Sequence, residues 1–97
     1  MKFYYPYTSD RPEKKYFIIT NDNKKVYFGQ AGASDYTQHK NLIRKNAYIQ
    51  RHQKREDWGK SGVNSSGWWS YHYLWSYPTK EEAYKKIREK LKGWGII

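Results

Sequence analysis

Two runs near the start of the chain are built from β-branched and aromatic residues. "KYFIIT" at 15–20 and "KKVYFGQ" at 24–30 flank Asn21, Asp22 and Asn23, which tolerate left-handed backbone. Strand formers on both sides of such a turn predict a β-hairpin over residues 15–30. Ahead of it, "MKFYYPYTSDRPEKK" mixes rings with Pro6 and Pro12. Proline fixes φ and withholds an N–H, so residues 1–14 read as an extended arm that packs by its rings. "GQAGAS" then has the composition of a loop.

From residue 35 the period becomes helical. In "DYTQHKNLIRKNAYIQRHQKREDWGKSG", Ser34 or Asp35 stands where an N-cap belongs, and the helix is expected to end near Trp58 and Gly59. At about 100° per residue, Lys40, Arg44, Arg51 and Arg55 gather on one edge. Leu42 and Ile49 lie nearly opposite, with Ile43 between. Ala47 spoils the segregation by falling beside the cations.

"GKSGVNSSG" is turn chemistry, and "WWSYHYLWSY" is the densest aromatic run. Trp69, Tyr71, Tyr73 and Trp75 alternate there with Trp68, Ser70, His72 and Leu74. That pattern permits a third strand buried on both faces and, by a narrow margin less well, a short helix. Thr79 and Glu82 form a capping box that opens a second helix, Ala83, Ile87 and Leu91 share one face of it, and Gly93 is placed to stop it. Lys85, Lys86 and Lys92 stand on its outer face, with Lys90 at the edge. The expected fold class is α+β: one small domain over 1–97, with an N-terminal hairpin, extended by a third strand, packed with two helices.

Composition changes this picture in one respect. Ninety-seven residues suit a single domain, but low hydropathy with a net charge of +10 would ordinarily argue for disorder. Aromatic residues oppose that: they are 20% of the chain, and each buried ring removes roughly 150–250 Å² from water. Aliphatics are scarce, so the core is expected to be built from Tyr and Trp, with Trp58, Trp69, Trp75 and Trp94 in it.

Charge points to a partner. Nineteen Lys and Arg stand against nine Asp and Glu, which predicts affinity for something anionic. Lys40, Arg44, Arg51, Lys54, Arg55 and Lys60 are the candidate nucleic-acid contacts, since a clustered basic edge suits phosphates. No set of Asn, Gln and Arg is placed to read base edges, so binding without sequence selection is expected. The alternative is a minor structural or capsid-associated protein whose basic surface docks on acidic protein. With no segment near the ~20 apolar residues of a membrane span, and no continuous apolar run in "MKFYYPYTSD", a membrane partner is not expected. The expected location is inside a cell or a particle assembled in one.

Catalysis finds weak support. The absence of Cys excludes a disulfide framework and a thiolate nucleophile. His39, His52 and His72, with Asp35, Glu56 and Asp57, are ingredients of metal-assisted phosphodiester cleavage. Yet His39 and His52 are thirteen residues apart, about 3.6 turns, and an ideal helix turns them to different sides. The HxxxH spacing of a helical zinc site does not occur. "FGQAGASDYT" lacks the Lys-Ser/Thr ending of a phosphate loop and reads as an ordinary strand-to-helix connection. The expectation is a binding protein, not an enzyme, with no metal or cofactor.

The string from Phe28 to Thr79 carries a dispersed motif, "FG..G..DYT.HK...RK..YI.RH.KRE.W.KSG....G.WS...LW..PT". It resembles a family of small basic proteins encoded mainly by large DNA viruses of eukaryotes and largely of unknown function. The resemblance covers roughly half the chain. It implies a viral origin and a small protein associated with nucleic acid or with the virion, in the particle or the interior of an infected cell. It implies no catalytic residue.

Overall fold

The hairpin forms where its residue types place it. In a computed structural model, which describes residues 2–97, β2 (Lys14–Ile19) pairs antiparallel with β3 (Lys25–Gln30). Asn23 takes the left-handed conformation in the turn, and Thr20 closes it by donating its N–H to the Lys24 carbonyl at 2.9 Å. The register sets Tyr16 opposite Phe28 and Phe17 opposite Tyr27. Because side chains alternate across a strand, Tyr16, Ile18, Val26 and Phe28 turn to the core. Phe17 faces the other way, between Tyr7 and Tyr27, with ring centroids 5.6 Å away on each side. Lys25 and Arg11 cap this outer aromatic ladder.

A third strand exists, but the N-terminal arm supplies it. β1 (Tyr7–Thr8) pairs with β2, giving the order β1-β2-β3. The arm is pinned further upstream: the Tyr4 N–H bonds the Ile19 carbonyl at 2.8 Å, and its buried ring stacks on Trp69. The phenol donates to Asn64 Oδ1 at 2.7 Å.

The aromatic run, expected as a strand, is helical. α3 (Ser66–Trp69), capped by the Ser65 hydroxyl, continues into a π-helical stretch, Ser70–Trp75. Trp68, Trp69, His72, Tyr73 and Leu74 are all buried, so apolar residues face every direction and the period is lost. A segment so enclosed has to satisfy its own backbone groups, and a helix does this without a neighbouring strand. α4 (Lys80–Gly93) follows, capped by Thr79 and burying Ala83, Ile87 and Leu91 as the pattern predicts. Its stop lies beyond Gly93. Gly95 takes φ 73°, and the Ile96 N–H reaches back to the Leu91 carbonyl at 2.9 Å.

The long helix expected from residue 35 is two helices. α1 (Tyr36–His39) opens with an Asp35–Gln38 capping box and ends at Lys40, whose φ is 54°. Asn41 then caps α2 (Leu42–His52) by accepting from the Ile43 and Arg44 N–H groups. His39 Nδ1 accepts the Asn41 N–H at 3.0 Å. These local side-chain bonds compete with helix continuation and break the chain's path at 40–41. Leu42 and Ile43 are consequently 61% and 81% exposed, and Tyr48 is the residue α2 buries. Gln53–Arg55 form a turn, so the helix ends short of Trp58. Among the described residues, no helix is long and apolar enough to cross a membrane.

Of the tryptophans expected in the core, Trp69 is fully buried; Trp68 is its equal. Trp75 and Trp94 are half-buried against the core, and half-buried Trp58 stacks on Tyr71 with centroids 3.8 Å apart. Trp69→Ala should therefore cost about 3–5 kcal/mol and Trp58→Ala distinctly less, as read by urea denaturation.

His72 gives the fold a pH dependence. Its Nε2 lies 2.9 Å from the Trp58 carbonyl, and burial pushes its pKa down to about 4. The fold thus favours neutral imidazole, so its contribution is complete above the unfolded pKa of about 6.5. It is lost as pH falls from there to about 4, at a cost on the order of 3 kcal/mol. The melting temperature should fall more steeply between these pH values in the native chain than in His72→Gln.

Candidate nucleic-acid interface

The connection from β3 to α1 runs beside α2 and makes one wall of a cleft. Gly29 begins it with φ 78°, and a Cβ there would stand 2.9 Å from Leu74 Cδ1. The loop is fixed at its far end by Asp35. This buried carboxylate caps α1, accepting from the Thr37 N–H at 3.0 Å, and pairs with Lys15 Nζ at 2.7 Å. Lys15 also reaches Gln38 Oε1 at 3.3 Å. The Asp35 carboxylate is thereby occupied.

Across the cleft stand Arg44 and Arg51, two turns apart on α2. Arg44 Nη2 donates to Ser34 Oγ at 2.9 Å, bridging helix and loop. Arg51 makes no side-chain hydrogen bond or ion pair among the described residues. The two line a cavity of about 590 Å³ with Gly32, Ala33, Ser34, Ala47 and Trp75. No acidic residue lines it. Ala47, which spoiled the helical pattern, is the small residue between the arginines that leaves the space open.

Behind this lies a second cavity of about 280 Å³, sharing Ala33, Ser34, Arg51 and Trp75 with the first. An aromatic stack forms its wall. Trp75 and Tyr48 lie nearly parallel with centroids 4.4 Å apart, and His52 stacks on Tyr48 at 4.2 Å. Burial raises the Tyr48 pKa to about 12, so the phenol stays neutral. Burial also lowers the His52 pKa, helped by Arg55 and Arg51. His39, tilted against Trp75 at 5.4 Å, is lowered by burial and by Arg44. His52 thus lines the cavity, and His39 packs on Trp75 beside it.

The six basic candidates separate. Arg44 and Arg51 face the cavity, and Arg55 Nη2 reaches the Arg51 carbonyl at 3.4 Å from the exposed turn that also carries Lys54. Lys40 is not on the α2 edge. It caps α1, bonds the Thr37 carbonyl at 3.1 Å and lines a different depression with Pro78 and Thr79. Lys60, exposed, opens a short 3₁₀ turn, Lys60–Gly62. The lysines of α4 do not line the cleft. Sequence reasoning missed Ser34 and Trp75 at the cavity, and Lys45, which turns inward to the Ser76 carbonyl at 2.8 Å.

The candidate catalytic residues are dispersed as well. Glu56 lies over Gly67, where an added Cβ would meet its carboxylate. Asp57 accepts from the Gly59 N–H at 2.9 Å and from the Ser61 hydroxyl, which lowers its pKa. His72 is in the core. Among the described residues, no three His, Asp or Glu converge as metal ligands.

The Lys15–Asp35 pair holds the cleft's loop, so its removal should be costly. Asp35→Ala deletes a helix cap and strands a largely buried ammonium, for about 3 kcal/mol. Asp35→Asn keeps an oxygen for the cap and should lose less. Urea denaturation of the two variants checks the order.

Residues 7–52 match the model of a family of unknown function, DUF5754. No curated protein and no solved structure matches the chain. The matched stretch runs from β1 to the end of α2 and so holds Ser34, Arg44, Ala47 and Arg51, while Trp75, Lys54, Arg55 and Lys60 fall outside it. Over 28–52 it overlaps the motif noted above, and there the chain is similar to a family whose function is not known.

Proposed function

We propose that this protein binds nucleic acid through phosphates, without chemistry and without reading sequence. Arg44, Arg51, Lys54 and Arg55 are the principal contacts, and Lys40 and Lys60 are additional exposed cations. The observation that carries this reading is the cavity between Arg44 and Arg51, which no acidic residue lines. A merely solvated basic face usually interleaves its cations with carboxylates. Among the described residues the ion pairs use Lys15, Lys24, Lys25 and Lys86, and none involves the six candidates. Their charge is left for an external anion. On this reading, which the resemblance to small basic proteins of large DNA viruses supports, the binding takes place in a virion or an infected cell.

A second reading has its own observation. Leu42 and Ile43 are exposed between Lys40 and Arg44, and an apolar pair among cations suits an acidic protein surface better than a phosphate backbone. On that reading the chain is a minor structural or capsid-associated protein.

Salt dependence separates the two. Each neutralised duplex phosphate contributes about −0.9 to the slope of log affinity against log salt. Changing Arg44, Arg51, Lys54 and Arg55 together to Gln should make the slope shallower by roughly three to four units. Gln keeps helix propensity, so the near-UV spectrum should persist. Coinciding slopes would sink the phosphate reading. The docking reading predicts instead that Leu42→Ser with Ile43→Ser spares DNA affinity and abolishes incorporation into particles.

A further inference from the structure

Resting on that phosphate reading, we infer that the cavity between the Gly32–Ser34 loop and α2 takes one unpaired nucleotide, its phosphate on Arg44 and Arg51 and its base against Trp75. The chain would then grip single-stranded nucleic acid by its bases as well as its backbone.

Three features of the cavity point this way. Its volume of about 590 Å³ falls within the roughly 300–1,000 Å³ of sites that enclose small organic molecules. A phosphate alone needs far less room. Its lining is also divided by chemistry: two guanidinium groups and the Ser34 hydroxyl are polar, while Trp75 and Ala47 are apolar. That division matches a nucleotide, whose anionic and aromatic parts are joined through a sugar. Finally, Trp75 is held ready. It is half-buried, and its near-parallel contact with Tyr48 fixes the indole before anything binds. A base placed against a fixed ring gives up only its own freedom, and base–aromatic contact tolerates any base. Bases in a duplex are stacked on one another and cannot enter.

Ala47 makes the inference testable without touching a charge or the Trp75–Tyr48 stack. Leucine at this position keeps helix propensity and fills the space between the arginines. The probes are a thymidine oligonucleotide of about 12 residues and an abasic oligomer of equal length and charge. Fluorescence anisotropy gives both affinities, for the wild-type protein and Ala47→Leu, at several salt concentrations, with near-UV circular dichroism as the check of fold. The wild-type protein should prefer the base-bearing strand by about tenfold, and Ala47→Leu should bring that ratio close to one. Equal binding of the two strands by the wild-type protein, with a steep salt slope, would overturn the nucleotide site and leave the phosphate reading standing. A tenfold ratio that survives in folded Ala47→Leu also overturns this site. A shallow slope with both strands removes the phosphate reading and this inference with it.

Discussion

A largely buried aromatic segment, residues 68–75, governs how the rest of this chain is arranged. Trp68, Trp69, His72, Tyr73 and Leu74 are buried with little solvent for a backbone N–H or carbonyl, so the segment coils and offers rings in several directions. Trp69 meets Phe28 of the sheet at 5.9 Å and Tyr4 of the arm at 6.4 Å. Tyr73 meets Tyr16 and Phe28 edge-on. Leu74 takes the space that Gly29 leaves by lacking a Cβ. Sheet, arm and α4 are thus docked on one hub, and a chain short of aliphatics obtains its core from ring contacts.

How legible this was depended on whether the structure obeys a local rule. The hairpin and α4 rest on strand formers around a turn and on a capping box, so they could be read directly. The third strand was expected, but in the wrong place. Tyr7 and Thr8 join the sheet because Tyr4 anchors the arm on Trp69, some 60 residues away, and no local pattern carries that contact. In the aromatic run, uniform burial erased the period that distinguishes strand from helix. The break at Lys40 had a local signal in Asn41, a good cap residue, but the helical pattern on either side outweighed it. Reading one continuous helix put Lys40 on the basic edge and Leu42 opposite it, whereas the break takes Lys40 off α2 and leaves Leu42 and Ile43 exposed.

The cleft was half legible for related reasons. Arg44 and Arg51 share a face because two turns of helix separate them, which spacing alone predicts. Ser34 and Trp75 come from the loop and the π-helical stretch, and only the packing of those elements against α2 brings them near. Ala47 left a visible trace as a misfit in the helical pattern. A small residue between two long cations is a packing fault in an amphipathic helix and a useful gap in a binding surface.

Electrostatics and packing then act together on this cleft. Asp35, the acid best placed to neutralise it, is turned inward to cap α1 and to pair with Lys15, a residue of β2. The same bond that fixes the loop therefore also engages this carboxylate, which lines the second cavity with Arg51. Burial, and after it the nearby arginines, lowers the proton affinity of His39 and His52, which pack beside Trp75 and Tyr48. The basic surface and the aromatic wall beside it thus meet at Arg51 and Trp75, which line both cavities.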